Sequence, residues 1–368
     1  MQSIPSFLYI GMMSGTSLDG IDTVLADFSG RVPRILAAHA TPYSATLRAE
    51  VLALQTRGNN ELERSQRLAL QLADTYVDSV NALLASTHFC ATQVCALGCH
   101  GQTVRHAPQH GYSVQLNSPA RIAERTGIDV IADFRSRDLA AGGQGAPLVP
   151  AFHQAVFGDD HDARVIVNIG GIANLTRLTP GQPVIGFDTG PGNMLLDAWI
   201  EHTQGVHYDR DGAWAAGGHV RPDLLARLLS DPFFAAPPPK STGRDLFSLA
   251  WLQARLDGSE TAQDIQATLI ALTAHSIATA IQRNCPTTRT VFLCGGGAYN
   301  LTLFHALGAQ LPHCAVHTTA EQLGVPAQEV EALAFAWLAY AFTQRIPSNL
   351  PAVTGAQGAR VLGALYPR

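Results

Sequence analysis

Lysine is almost absent from this chain of 368 residues: Lys240 is the only one, and the other 23 basic residues are arginines. A Walker A phosphate loop and a protein-kinase strand each need a lysine in a defined motif, and neither motif is present. The sequence therefore excludes the common lysine-dependent nucleotide sites. Any phosphate chemistry in this chain must use backbone amides, hydroxyl groups, arginines and a metal ion.

Charge and long apolar runs are also scarce. Charged residues make up 14% of the chain and the net charge is −5, without a basic stripe, so we expect no nucleic-acid partner. Because no apolar run approaches the roughly 20 residues of a membrane span, we expect no membrane association. The N-terminus lacks a secretory signal, and the six cysteines form no C-x-x-C pair. These features indicate free thiols and a cytoplasmic location.

The apolar runs predict an α/β protein whose opening pattern occurs twice. Three strand-like runs within residues 7–40 precede helical periodicity at 45–55 and 61–86. A second strand, glycine turn and return strand begin at Arg164, beyond the polar, glycine-rich stretch 133–150. This repeat predicts two domains of one plan. We expect one lobe at 1–132 with the C-terminal tail 347–368, and the other at 133–346.

The first glycine turn, residues 11–22, reads GMMSGTSLDGID. Glycines such as Gly11 and Gly20 let backbone N–H groups approach phosphate oxygens, and hydroxyls such as Ser14 add donors. An ordinary glycine-rich hairpin explains the same sequence equally well. The candidate cofactor-binding residues here are Gly15, Thr16, Ser17, Leu18, Asp19, Gly20, Ile21 and Asp22. Asp19 and Asp22 are also the candidate ligands for Mg²⁺.

Two further glycine turns occur in the second half of the chain. One follows the strand that begins at Arg164, and the other, GGGAYN, joins a strand to a helix start. Backbone amides and the positive end of a helix can face a nucleotide there, although a tight β–α turn is an equal alternative. GGGAYN is not a Rossmann fingerprint, since its third glycine position holds asparagine. The candidate cofactor-binding residues are Asn168, Gly170, Gly171, Gly295, Gly296, Gly297 and Asn300.

Asp188 is the candidate catalytic residue. It follows the strand-like run 183–187 and precedes TGPGN. Open α/β sheets place ligand chemistry at the carboxyl ends of strands, and an ionised aspartate can accept a proton there. The alternative role is an N-cap for the helix predicted from Asn193. Asp188 lies five positions before Asn193, and this distance argues against the alternative.

Polar side chains beside glycines and in apolar helices form a third group of candidates. The HGQT segment is suited to recognition of sugar hydroxyls, or it forms a hydrogen-bonded turn. An arginine of the boundary stretch, Arg135 or Arg137, could pair with a substrate carboxylate. A carboxylate on the apolar helix VPAQEVEALAFAWLA must reach either solvent or a partner. The candidate substrate-binding residues are His100, Gln102, Thr103, Arg137, Asp138, Asn193 and Glu331.

Together, these segments resemble the superfamily of sugar kinases, heat-shock chaperones and actin. GMMSGTSLDGID and NIGGIANLT are similar to its two phosphate loops, and GGGAYN to its adenosine segment. The closer resemblance is to the anhydro-N-acetylmuramic acid kinases, and it covers nearly the whole chain. Besides these segments it rests on GCHGQTVRH, ADFRSRDLAAGGQGAPLVP, FDTGPGNMLLDAW, PPPKSTGRD and EALAFAWLA, in the expected order. Asp245 stands where the resemblance leads us to expect glutamate.

The resemblance implies an α/β fold with duplicated actin-like ATPase (ribonuclease H-like) domains around an interdomain cleft. It also implies that ATP, with Mg²⁺, and water convert 1,6-anhydro-N-acetylmuramic acid into N-acetylmuramic acid 6-phosphate. Asp188 would be the general base, and the enzyme would be a cytoplasmic homodimer that recycles cell-wall amino sugars. Two alternatives are a conventional hydroxyl kinase for another amino sugar and an actin- or chaperone-like nucleotide switch. The switch would need a partner-binding module, for which no residues are left over.

Overall fold

A computed structural model of the chain describes residues 7–15, 18–243 and 245–368. The chain forms two compact units, Met1–Phe157 with Glu329–Arg368, and Gly158–Gln328. These limits differ from the predicted lobes, because residues 133–157 and 329–346 belong to the first unit. No helix within the described ranges is both long and apolar enough to cross a membrane.

The first unit is built on a six-stranded sheet with the order β13-β7-β4-β1-β2-β3, strands and helices being numbered along the chain. The predicted antiparallel meander is confirmed, and β4 and β7 extend it in parallel. Its strands are β1 (Leu8–Met13), β2 (Gly20–Asp27), β3 (Arg34–Pro42), β4 (Val94–Cys99), β7 (Val130–Ala132) and β13 (Ala364–Tyr366), with a separate ribbon of β5 (Gln102–Ala107) and β6 (Tyr112–Leu116). Its helices are α1 (Ala45–Gln55), α2 (Glu61–Ala85), α3 (Pro119–Thr126), α4 (Ser136–Ala140), α5 (Val149–Phe152), α13 (Val330–Thr343) and α14 (Pro351–Thr354), and a π-helical turn (His153–Phe157) follows α5.

The second unit is built on a five-stranded sheet with the order β10-β9-β8-β11-β12. Its strands are β8 (Arg164–Ile169), β9 (Ile172–Leu178), β10 (Ile185–Pro191), β11 (Thr290–Cys294) and β12 (Ala315–Thr318). Its helices are α6 (Met194–Gln204), α7 (Pro222–Leu229), α8 (Pro232–Ala235), α9 (Leu249–Gln253), α10 (Ala262–Asn284), α11 (Leu301–Gln310) and α12 (Thr319–Leu323).

The two sheets share one topology. In each, three antiparallel strands come first in sequence. A fourth strand pairs in parallel with the first, and a fifth pairs in parallel with the fourth. The order is therefore third, second, first, fourth and fifth in both units, with β13 added at one edge of the first. This arrangement confirms the predicted α/β class and the duplicated actin-like, ribonuclease H-like plan.

Helix α13 lies against the first sheet because two neighbouring strands carry glycine beneath it. A Cβ atom on Gly98 of β4 would lie 2.1 Å from the carbonyl oxygen of Phe335, and one on Gly11 of β1 would lie 1.9 Å from that of Ala332. Real Cβ atoms do not approach backbone this closely. Gly11 is thus required for helix packing, which corrects the role in phosphate approach that we predicted from the sequence. Gly20 is confined by a neighbouring strand, because a Cβ atom there would lie 2.2 Å from the Thr41 carbonyl oxygen.

We expect Gly98→Ala to destabilise the first unit, since the added methyl group must push α13 off the sheet. Overpacking of this kind costs about 1–3 kcal/mol in the free energy of unfolding. Calorimetry should show a lower unfolding temperature. Gly308→Ala is the matched control: Gly308 lies in α11 with nothing within 4 Å of the new Cβ atom. The control should be neutral or stabilising by about 0.5–1 kcal/mol, and equal effects of the two variants would contradict our interpretation.

Candidate functional site

The loop after β1 is held in place by the HGQT segment. The Ser14 carbonyl oxygen lies 3.3 Å from His100 Nδ1, and the Gly15 carbonyl oxygen accepts a hydrogen bond from Gln102 Nε2 at 3.1 Å. The Ser14 hydroxyl donates to the Gly101 carbonyl oxygen at 3.1 Å and lies 2.7 Å from the Tyr76 hydroxyl. Since Ser14 is buried, its hydroxyl is not a phosphate donor, contrary to the sequence-based expectation.

Two further candidates of this loop, Leu18 and Ile21, can offer a ligand only their backbone groups. Leu18 is buried and adopts a left-handed conformation with φ 62°, and its N–H faces the Gly15 carbonyl oxygen at 3.4 Å. Ile21 belongs to the hydrophobic core of the first unit. Only their main-chain groups can therefore meet a ligand. Thr16 and Ser17 lie outside the described residues.

His100 is a neutral histidine whose two nitrogens have different partners. Arg135 Nη2 lies 2.8 Å from Nε2, and a guanidinium can only donate, so Nε2 must be the acceptor. Nδ1 then carries the proton toward the Ser14 carbonyl oxygen. Burial, together with the Arg135 charge, lowers the pKa of His100 to about 3. The ring also packs on Phe335 of α13, 4.7 Å between centroids.

Arg135 is the half-buried cation of this site. Its Nη1 donates to the Gly145 carbonyl oxygen at 2.7 Å, whereas Nε has no partner among the described residues. Burial lowers the pKa of Arg135 to about 10, and the carboxylates of Glu331 and Asp138 partly offset that effect. Glu331, in the first turn of α13, is thus near a partner charge and is not simply a solvated residue.

Three predicted substrate contacts have internal roles instead. His100 and Gln102 are buried and hold the β1 loop. Asp138 has no exposed surface: Oδ2 accepts from the Gly145 N–H at 2.7 Å, and Oδ1 accepts from Asn349 Nδ2 at 2.6 Å and from the Thr354 hydroxyl at 2.8 Å. These contacts correct the expectation that the three side chains touch a sugar. They fix the loops around the site.

The other predicted substrate contacts in this unit remain accessible. Arg137 is exposed on α4, and Glu331 is half-buried. Thr103 is half-buried on β5, where its hydroxyl accepts from Gln115 Nε2 at 3.2 Å. These residues can still meet a ligand.

Three carboxylates cluster at the start of β2. Desolvation by the surrounding protein, with the charges of Glu329 and Asp19, raises the pKa of Asp22 to about 6, although Asp22 keeps exposed surface. Burial also raises the pKa of Glu329, whose Oε2 has no hydrogen-bond partner in the described part of the chain. Within the described ranges no group of three such side chains is arranged to hold a metal ion alone. A cation here would need further oxygen ligands from phosphate or water.

In the second unit the predicted glycine turns meet at one point, the turn between β8 and β9. The Gly170 carbonyl oxygen accepts from the Asn193 N–H at 2.8 Å, and the Gly171 carbonyl oxygen accepts from the Gly192 N–H at 2.9 Å. Asn193 Nδ2 also donates to the Ile169 carbonyl oxygen at 3.4 Å. The DTGPGN segment therefore covers this turn.

The GGGAYN segment closes on the same turn. Gly295 has φ +78°, and a Cβ atom there would lie 2.3 Å from Asn168 Oδ1; one on Gly297 would lie 2.3 Å from Ile169 Cγ2. Gly296 is exposed, with Asn193 Nδ2 3.8 Å from its virtual Cβ. Asn300 caps α11, accepting from the Leu303 N–H at 3.0 Å. Its side chain therefore has a structural role that the sequence analysis did not assign.

Asp188 lies within β10, which continues to Pro191 beyond the predicted strand end because a bulge between Asp188 and Gly190 keeps it paired with β9. Its N–H donates to the Lys240 carbonyl oxygen at 3.1 Å, and Oδ2 accepts from the Thr242 N–H at 2.9 Å. Burial raises the pKa of Asp188 to about 6; the Thr242 hydrogen bond and the Lys240 charge oppose this rise. Asp188 is therefore not a helix cap but a half-buried carboxylate with one oxygen fixed.

The sequence did not indicate roles for Thr242, Glu329 or Lys240. It offered Arg135 and Arg137 as alternatives, and only the structure shows that Arg135 is the less exposed of the two. Thr242 acts through its backbone N–H, for which sequence carries no signal. Lys240 stood out only as the single lysine of the chain.

Comparisons with known proteins are consistent along the whole chain. The profile of the family described as "Anhydro-N-acetylmuramic acid kinase" matches residues 7–368. A protein of that name from Chromobacterium violaceum is 55% identical over 366 residues, which is 98% of this chain and 99% of the relative. One from Bordetella petrii is 56% identical over 374 residues, with coverage of 99% and 97%. One from Pseudomonas paraeruginosa is 52% identical over 361 residues, with coverage of 98% for both chains.

We expect His100 to stay neutral, with the proton on Nδ1, at a pH of about 5, where an ordinary histidine with a pKa of about 6.5 is mostly charged. Burial against Arg135 is the cause, since protonation would place two cations together. Nitrogen-15 NMR of the imidazoles checks both the charge and the tautomer. His100→Gln identifies the signal by its loss. Titration of that signal near the ordinary value would contradict the assignment.

Proposed function

Because the chain belongs to the anhydro-N-acetylmuramic acid kinase family, we propose that it converts 1,6-anhydro-N-acetylmuramic acid, ATP and water into N-acetylmuramic acid 6-phosphate and ADP. The observation that carries the mechanism is the state of Asp188. One carboxylate oxygen is anchored by the Thr242 N–H, and Oδ1 has no hydrogen-bond partner among the described residues. This oxygen can therefore receive a proton.

In this mechanism Asp188 takes a proton from water as the water oxygen attacks the anomeric carbon. The bond between that carbon and O6 breaks, and O6 receives the γ-phosphoryl group as ADP leaves. The proton on Asp188 then passes to solvent. The substrate has no free 6-hydroxyl, so a base that deprotonates the acceptor hydroxyl of a conventional kinase would find no such group at this position. A pKa of about 6 leaves Asp188 mostly ionised at neutral pH and close to the range that suits a general base.

We assign the phosphates of ATP to backbone groups of the β1 loop and of the turn between β8 and β9. Asp19 and Asp22 would hold Mg²⁺ together with phosphate oxygens and water. The donor set fits a hard cation. Desolvation and the charge of the nearby Glu329 disfavour the ionised form of Asp22, and a bound cation would offset this effect. Bound Mg²⁺ would neutralise charge on the transferring phosphoryl group. The chain's own contribution is to hold these groups in position.

We assign sugar contacts to Thr103, Arg137, Asn193 and Glu331, which keep accessible surface. His100, Gln102 and Asp138 would act through the loops that they hold. Glu331 and the nearby Arg135 form an oppositely charged pair that could orient polar groups of the substrate. We further infer a cytoplasmic homodimer that recycles cell-wall amino sugars, a proposal that rests on family membership.

The reaction itself is the first test. Incubation with ATP, Mg²⁺ and the anhydrosugar should give a product that is both phosphorylated at O6 and reducing, and oxygen from labelled water should enter at the anomeric carbon. Chelation of Mg²⁺ should stop turnover, and its readdition should restore it. Phosphorylation of free hexosamines without turnover of the anhydrosugar would instead support a conventional hydroxyl kinase.

We expect Asp188→Asn to lower kcat by at least about a thousandfold, the scale of losing a general base and its charge. The amide keeps the shape of the side chain but cannot take the water proton. Asp223→Asn, an exposed aspartate of the same unit, is the matched control and should leave kcat unchanged. Retained turnover in Asp188→Asn would remove this residue from the mechanism.

The pH profile is a second readout of the same assignment. The base works only when ionised, so kcat/KM at saturating Mg²⁺ should be flat at neutral pH. It should fall by about tenfold per pH unit below a pKa of about 6. The residual activity of Asp188→Asn should lack this limb. A limb that persists in the variant would belong to another group.

A further inference from the structure

A cavity of about 370 Å³ lies in the second unit, behind strand β10. The C-terminal half of α10 and the segment 233–240 enclose it with the strand. Phe187 and Thr189 of β10 line the cavity, whereas Asp188, between them, does not. Successive side chains of a strand point to opposite faces, which explains the separation. The cavity is thus distinct from the face that carries the catalytic carboxylate.

The polar part of this cavity is cationic. Lys240, Arg283 and His275 line it, and no Asp or Glu is among its described lining residues. The lysine ammonium donates to the Phe233 carbonyl oxygen at 2.9 Å and lies 4.4 Å from the centre of the Phe233 ring. Burial and the charge of Arg283 both lower the pKa of Lys240, and the charge of Asp188 opposes this effect. Two cations therefore line one space, and no carboxylate is among its described lining residues.

The uncharged part of the wall is mostly apolar. Phe187, Leu229, Phe234 and Pro238 are among its apolar lining residues, and four uncharged polar residues, Thr189 among them, also line it. An apolar pocket with a few convergent polar groups is the usual form of a small-molecule site, and the volume suits one small ligand. Because the charged lining residues are cationic, a complementary ligand would carry an anionic head group.

We propose that this cavity binds a small organic anion, a carboxylate or phosphate monoester with an apolar body, with its head group between Lys240 and Arg283. The occupied cavity would also stiffen the segment that anchors Asp188. Lys240 lines the cavity, and its carbonyl oxygen accepts from the Asp188 N–H, while the Thr242 N–H donates to Asp188 Oδ2. The site does not depend on the reaction proposed above.

Phenyl phosphate is a suitable probe, with benzyl alcohol as the uncharged control. Calorimetry in the absence of substrates should show binding of phenyl phosphate alone. Arg283→Gln and Lys240→Met should each weaken it by about tenfold or more, the scale of one lost charge-assisted hydrogen bond. Arg210→Gln, an exposed arginine elsewhere in the same unit, is the matched control and should bind as the unmodified protein does. Arg283 is exposed, so its replacement should not prevent folding.

Two measurements separate this site from the nucleotide site and test the link to Asp188. A saturating non-hydrolysable ATP analogue should not displace phenyl phosphate. Hydrogen–deuterium exchange in the peptide 237–243 should slow when phenyl phosphate is bound, and not in Arg283→Gln. Displacement by the analogue, or equal affinity in all three variants, would overturn the site. Unchanged exchange at saturation would overturn the link to Asp188.

Discussion

The close packing of α13 on β1 and β4 is the constraint on which the first unit depends. Helix and sheet backbones can approach this closely only because Gly11 and Gly98 lack side chains. The helix then brings the Phe335 ring against His100 and the Glu331 carboxylate near Arg135. Those contacts fix the loop that follows β1. A packing requirement in the core therefore also positions the candidate phosphate-binding loop, without any ligand.

Much of the fold was predictable because apolar periodicity reports directly on strands and helices. The β1–β3 meander and helices α1 and α2 were placed within a few residues. The unit boundary was not, since the tertiary packing that assigns α13 to the first unit leaves no local signal. The end of β10 was misplaced for a related reason: a bulge keeps Asp188 paired although the glycines after it suggest a turn.

The candidate site was predictable as chemistry but not as geometry. The sequence identified polar residues beside glycines as candidates for ligand binding. The structure shows that several of these side chains instead form hydrogen bonds within the protein. Asp138 is the clearest example, because its partners Asn349 and Thr354 lie more than 200 residues away in sequence. Burying a carboxylate costs free energy unless every oxygen is satisfied. Three donors satisfy Asp138, whereas Glu329 Oε2 has no hydrogen-bond partner among the described residues.

Asp188, the candidate base, lies on β10, an edge strand of the second sheet. An edge strand presents unpaired N–H groups, which must find other acceptors. Here the segment around Lys240 provides a carbonyl oxygen for the Asp188 N–H and returns the Thr242 N–H to the carboxylate. Covering the edge buries the aspartate, which raises its pKa, and the hydrogen bond and the lysine charge limit that rise. The single lysine of the chain therefore affects this site through its charge, which lowers the pKa of Asp188 from the segment that covers the strand edge. This role differs from that of a Walker A lysine, which contacts phosphate.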